Sequence, residues 1–315
     1  MSSNENLHRA QKNPRDEFYT LYEDVKNECD KYKEYFVNKS IYCNCDNKES
    51  AFFQYFYNNF DELQLKELVA TSFPAFSFRR RGQYEESNFV SDCNFFSDEC
   101  KELLNTCDMV ITNPPFSLGK AFMEMILKSK KSFLIIGPEN WITYQTIFPA
   151  IKKNELWEGY NEPRPKVFRV PQNYEGKNIV VKENKKFSKF GNVLWFTNLP
   201  CAKRMEPFNF QKEYNSKDYP KYDNYNAINV DKTVDIPKDY DGLMGVPVSF
   251  LSKHCHSQFQ IVDIAKAAAG DPSFKTKTYT SNDYKNYREL NSGPVIISDG
   301  VPKLLYARLL IKRII

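Results

Sequence analysis

Asp108-Met109-Val110-Ile111-Thr112-Asn113-Pro114-Pro115-Phe116 is the stretch that decides the fold of this chain. Its first half is short, apolar and β-branched, the composition of a strand buried on both faces. The next segment, KAFMEMILKSKK from Lys120, spaces its apolar residues as a helix does. Asn113 to Phe116 therefore falls at a strand's carboxyl end. In open α/β sheets that edge binds ligands, because loops rather than regular structure line the crevice there. Outward from it, strand-like and helix-like segments alternate: SIYCNC from Ser40, SAFFQYFYNNF from Ser50, LKELVATSF from Leu65 and SFLIIG from Ser132. The alternation predicts the α/β class, a parallel sheet with crossover helices. NVLWFTNL, from Asn192 to Leu199, reads as the last strand of that sheet. From Tyr214 the chain becomes rich in Tyr, Asp, Asn, Lys and Pro, with few extended apolar runs before VPVSFL at Val246 and QFQIVDIA at Gln258. This implies a boundary near residue 200, with a mobile tail over 1–13, a catalytic domain over 14–200 and a recognition region over 201–315.

The tetrapeptide has its own chemistry. Two consecutive prolines fix φ near −65° and remove two backbone donors, so the turn is stiff and rich in acceptors. The side-chain oxygen of Asn113 and the carbonyl of Pro114 can each accept one hydrogen from a planar amino group such as the 6-amino group of adenine. Such a nitrogen is a poor nucleophile while its lone pair is delocalised, and two fixed acceptors favour the pyramidal geometry that frees it. Pro115 stiffens the turn, and Phe116 offers a ring on which the base can stack, a contact worth roughly 1–3 kcal/mol. The competing structural account is a Pro-Pro turn in which Asn113 caps the next helix and Phe116 joins the core.

At 315 residues, 41% hydrophobic and 15% aromatic, the chain can bury a large core, which excludes a disordered protein. The longest apolar stretches are too short or too charged to span a bilayer, and the opening MSSNENLHRAQKNPR is polar, so a cytoplasmic protein without membrane association is expected. The eight cysteines sit in strand-like and helix-like segments and read as reduced, packed thiols. Cys43 with Cys45 and His254-Cys255-His256 lack the second ligand pair of a zinc site, so no metal is expected. A net charge of +4 does not identify a nucleic-acid binder, but basic residues cluster at Arg79-Arg80-Arg81, over Lys182 to Phe190 and at Lys203-Arg204. These clusters read as loop residues able to contact phosphates, or as ordinary solvated surface.

The chain resembles the adenine-specific DNA methyltransferases of the EcoRI type. The likeness is carried by DEFYT (Asp16 to Thr20), IYCNCDNKESAFFQYF from Ile41, VITNPPFSL from Val110, SFLIIGPENWITY from Ser132, NVLWFTNL, and YPKYDNYNAINVDKTVDIPKDYDGLMGVPVSFL from Tyr219. The resemblance implies a Rossmann-like sheet that binds S-adenosylmethionine, a C-terminal target-recognition region, and methyl transfer to the 6-amino nitrogen of an adenine flipped out of duplex DNA. It gives Asn113, Pro114, Pro115 and Phe116 the catalytic turn. It places Phe18, Tyr19 and Thr20 near the cofactor's methionine end, and Asn44, Cys45 and Asp46 in the loop beneath it. It suggests that Asp92 or Asn94 meets the cofactor's adenine edge. Phe168 is the candidate second wall beside the base, and Arg79, Arg80 and Arg81 are candidate phosphate contacts. A cognate restriction endonuclease acting on the same site is the implied partner, with an AT-containing palindrome such as GAATTC as a first trial site.

Two features depart from the broader pattern. The turn Tyr42-Cys43-Asn44-Cys45-Asp46 has no glycine, and LVATSFPAFSFRRRG from Leu68 has no carboxylate for the cofactor's ribose. The alternatives are an RNA adenine methyltransferase, a protein glutamine methyltransferase, which shares the Asn-Pro-Pro-aromatic turn but has a glycine-rich cofactor loop, and an inactive nucleic-acid-binding module.

Overall fold

The computed structural model describes residues 18–314. Met109–Thr112 (β6) has all four side chains buried and runs parallel to Ser40–Cys43 (β2) on one side and Ser132–Pro138 (β7) on the other. Beyond β2 lies Glu67–Ser72 (β3), also parallel. The helices that connect these strands form for local reasons. In Ala51–Asn58 (α2) the Ser50 hydroxyl accepts from the Phe52 amide, and Ala51, Phe52, Phe53, Tyr55 and Phe56 are buried. In Asp98–Thr106 (α3) Ser97 caps the Cys100 amide while Asp98 and Glu99 face the positive end of the helix dipole. Gly119–Ser129 (α4) ends where Lys130 turns left-handed at φ 55°.

The sheet is mixed rather than all parallel. After β3 the chain doubles back through Phe76–Arg81 (β4) and Tyr84–Ser87 (β5), joined across Gly82 at φ 56°, so the triple arginine is strand and not loop. Val193–Thr197 (β12) is antiparallel to β7 and lies between it and Trp157–Glu158 (β8), so it is not the edge strand. The order is β5-β4-β3-β2-β6-β7-β12-β8. Aromatic side chains fill the core beneath it, with Phe36, Phe56 and Trp195 fully buried.

Tyr19–Thr20 (β1), followed by Tyr22–Cys29 (α1), belongs to a second, four-stranded antiparallel sheet with Val167–Val170 (β9), Ile179–Lys182 (β10) and Lys185–Lys189 (β11), in the order β1-β9-β11-β10. The lysine-rich segment expected in a loop is thus a hairpin. Asp16 of the DEFYT motif lies outside the described residues, as does the tail expected over 1–13.

The chain divides into two compact units. One contains the described residues to Glu139 together with Glu158–Leu199, and the other contains Asn140–Trp157 and the residues from Pro200 on. The second unit is built on Ile228–Asn229 (β13), Met244–Pro247 (β14), Phe259–Ala265 (β15) and Arg308–Arg313 (β18), ordered β13-β14-β18-β15. A ribbon of Val295–Ser298 (β16) and Val301–Leu304 (β17) turns at Asp299-Gly300, both at positive φ as a two-residue hairpin needs. The Tyr- and Asn-rich segment, expected as a recognition surface, has both exposed residues, Asn215 and Asn226 among them, and buried ones. Tyr219, Tyr222 and Tyr225 are buried, and the Asn224 amide bridges the Gly293 carbonyl and the Val295 amide at 2.9 and 2.8 Å. Among the described residues no helix is long and apolar enough to cross a membrane.

Candidate active site

The chain after β2 goes first to β3 on one side and later to β6 on the other, so the strand order reverses between β2 and β6. Ligands in open α/β sheets bind outside the carboxyl ends of the strands at such a reversal. A cavity of about 350 Å³ lies there. Asn44, Cys45 and Asp46 after β2, Ser72 at the end of β3 and Phe73 after it, and Asn113, Pro114 and Pro115 after β6 all line it, together with Phe18, Tyr19 and Thr20.

Asn113 is the most informative side chain. Its amide nitrogen donates to the Phe18 carbonyl and, at 3.3 Å, to the Thr20 hydroxyl. A carbonyl can only accept, so this bond fixes which end of the amide is nitrogen. The Asn113 Oδ1 is consequently directed away from these partners, and it is buried with no hydrogen-bond partner. Such an acceptor costs about 1–3 kcal/mol until a donor arrives. Asn113 does not cap the following helix, whose cap position is Leu118.

Asp46 is buried beside it. Ser50 and Thr112 each donate a hydroxyl to its carboxyl, and its backbone amide bonds the Thr71 carbonyl at 3.0 Å, tying the turn to the end of β3. Burial pushes the Asp46 carboxyl up to about 7, against the two hydroxyls, which favour ionisation. None of residues 43–47 has a positive φ, so this turn needs no glycine. Among the described residues the other carboxylate lining the cavity is the exposed Glu49, which sequence reading missed because it lies after β2 rather than β3.

Other expected residues are placed differently. Asp92 and Asn94 are not among the cavity-lining residues; Asp92 accepts from the Asn94 amide at 3.0 Å and Asn94 from the Phe96 amide at 2.8 Å. They shape a turn that delivers Phe95 to the cavity wall. Phe168 is 0% exposed and lies edge-on beneath Phe18, with ring centres 6.4 Å apart, so it supports the wall and cannot itself face a base. Phe116 packs on Phe18 at 5.2 Å, just beyond the lining residues. Arg79, Arg80 and Arg81 meet carboxylates within the same unit: Glu67 at 3.0 Å from Arg79 and 2.8 Å from Arg81, and Asp61 at 3.0 Å from Arg80. Arg79 and Arg80 also lie over the rings of Phe89 and Phe60. Arg81 is the most exposed of the three, at 58%. Arg169, which sequence reading missed, lines the cavity with its guanidinium 4.8 Å from the Tyr19 ring centre.

Fold and cavity together define an α/β protein with a cavity at the carboxyl edge of its sheet and a fixed acceptor beside it. The family model of the adenine-specific methyltransferase EcoRI matches residues 6–90 and 80–314. Type II methyltransferase M.EcoRI of Escherichia coli is 40% identical over 295 residues, covering 84% of this chain and 90% of its own length. Type II methyltransferase M.MgeORF184P of Mycoplasma genitalium is 37% identical, and Type II methyltransferase M.MpnI of Mycoplasma pneumoniae 33%, each covering 98% of both chains. The chain belongs to the EcoRI family of adenine-specific methyltransferases.

Proposed function

We propose that this enzyme transfers the methyl group of S-adenosylmethionine to the 6-amino nitrogen of an adenine flipped out of duplex DNA, at a defined site, on a Rossmann-like catalytic unit. The carrying observation is the Asn113 oxygen, buried and without a hydrogen-bond partner beside the cavity while its amide nitrogen is held by Phe18 and Thr20. An acceptor so fixed fits the amino group of a flipped base, with the Pro114 carbonyl as the second acceptor and Phe116 as the stacking face.

The residues of the cavity fit the cofactor. Asp46 would hold its ammonium, Glu49 its ribose hydroxyls, and Asn44, Cys45 and Phe95 its remaining faces, with Phe18, Tyr19 and Thr20 closing the methionine end. When bound, the cofactor supplies a methyl group already activated on a positive sulfur. The protein contributes position: Asn113 and Pro114 orient the amine, Phe18 and Phe116 exclude water, and Pro115 stiffens the turn. Residues 201–315 would supply target recognition, and a cognate endonuclease on the same site is the expected partner. A protein glutamine substrate is disfavoured by the same turn after β2, which has none of the glycines of those enzymes.

Tritiated methyl incorporation into duplex DNA, followed by nucleoside analysis for 6-methyladenine, tests the proposal. Asn113→Ala should reduce turnover by about 100-fold or more, the scale for loss of one preorganised polar contact to the reacting group. Cofactor affinity should change little. Retention of most turnover by Asn113→Ala would remove Asn113 from the mechanism.

A further inference from the structure

Over β1, β9 and β11 one face of the sheet packs on the core and the other is open, while β10 is exposed on both faces. Alternation and register put Thr20, Phe168, Ser188 and Val170 on the inner face, and all four are buried. The opposite face carries a cross-strand row formed by Tyr19 paired with Arg169, Arg169 with Phe187, and Phe187 with Val180. Tyr19 is 39% and Val180 47% exposed. Lys182, Lys185 and Lys189 belong to the same face and are exposed.

Its charge is one-sided. The acid of the hairpin, Glu183, sits in the turn at φ 50° and not on this face. Among the described residues Lys182, Lys185, Lys189 and Arg169 have no carboxylate within ion-pair distance, in contrast to the arginines of β4. The row starts at the cavity, since Tyr19 and Arg169 line it. Three inter-strand steps of about 4.8 Å take it roughly 14 Å from the pocket mouth. Over that length one DNA strand carries about four phosphates, at about 3.4 Å of axis each.

We propose that this open face is the docking surface for the sugar–phosphate backbone of the DNA strand that delivers the target base, with Arg169 nearest the extruded nucleotide and Lys182, Lys185 and Lys189 on the phosphates beyond it. Tyr19 and Phe187 provide ring surface between the cations, the combination that polynucleotide-binding grooves use. Cation and ring share this face because the pleat sends the alternate residues of β1, β9 and β11 to the opposite one. The proposal rests on the DNA methyltransferase reading and adds the surface that seats the substrate.

The test is binding of a fluorescent duplex oligonucleotide over a salt series, comparing the full chain with a variant carrying Lys182→Ser, Lys185→Ser and Lys189→Ser. Each lost phosphate contact lowers the slope of log affinity against log salt by about 0.9, so a fall of roughly 2 to 3 is expected. The corresponding Lys→Arg variant should restore the slope, which a merely structural role for the lysines would not predict. Cofactor affinity by calorimetry should match wild type, verifying the fold, and Lys182→Glu alone, at the ribbon's end, should weaken DNA binding if the triple variant does not express. An unchanged slope in the serine variant overturns this surface while leaving the methyl-transfer proposal intact. Failure of the wild-type chain to bind or methylate any duplex overturns both.

Discussion

Asn113 and Asp46 differ in how much of their role is written in nearby residues. The acceptor character of the Asn113 turn comes from two prolines next to it, so it is legible in the sequence. What orients the amide is a carbonyl 95 residues away, which no local pattern encodes. Asp46 was legible as a pocket residue, but its raised pKa comes from burial by the fold. That shift makes a prediction. Ionised Asp46 is the form that attracts the cofactor's ammonium, so binding lowers its pKa and releases a proton. Affinity should therefore fall as pH drops below about 7 and level off above it, and calorimetry in buffers of different ionisation enthalpy should detect proton release near pH 6. The sign is opposite for the free fold, in which a carboxyl raised from 3.8 to about 7 costs stability as pH rises through that range. In Asp46→Asn the pH dependence of affinity in this window should vanish; its persistence would assign the proton to another group.

Strands and helices were legible where a hydrophobic run had to be buried. β2, β3, β6 and β7 and helices α2 and α4 fall within the segments read from pattern or overrun them by one residue. Direction was not legible, because Val193–Thr197 is buried throughout and nothing in such a run says whether it lies parallel or antiparallel to its neighbour. The β4-β5 hairpin was missed because three arginines read as a loop when their carboxylate partners are unknown. Pairing with Glu67, Glu86 and Asp61 makes that ladder a stabilising element of the sheet. Arg80 is 12% exposed at its side chain and lies 4.2 Å from the Phe60 ring centre. Arg80→Ala should cost about 1–2 kcal/mol in chemical denaturation, through lost packing and cation–π contact. It should leave the salt dependence of DNA binding nearly unchanged; a clearly flatter slope would return this strand to the DNA interface.

For the molecule as a whole, the sequence located a change of character near residue 200 but could not show that Asn140–Trp157 groups with the residues from Pro200 on, because that grouping depends on tertiary contacts. Nor could it show that Tyr219, Tyr222, Tyr225 and Asn224 of the Tyr-rich segment are interior. Ligand binding to the native state stabilises it by about 2.7 kcal/mol at 100 times the dissociation constant. Saturating cofactor should accordingly slow hydrogen exchange most in β1, in the turns after β2 and β6 and in the first turn of α2, the segments lining the cavity. Protection absent from all of these would put the cofactor elsewhere. The anchor of the Asn113 amide has one further consequence. A main-chain oxygen is common to every residue type, so no single replacement at position 18 can delete it. Mutational drift there can change the wall of the chamber while the aim of the acceptor persists.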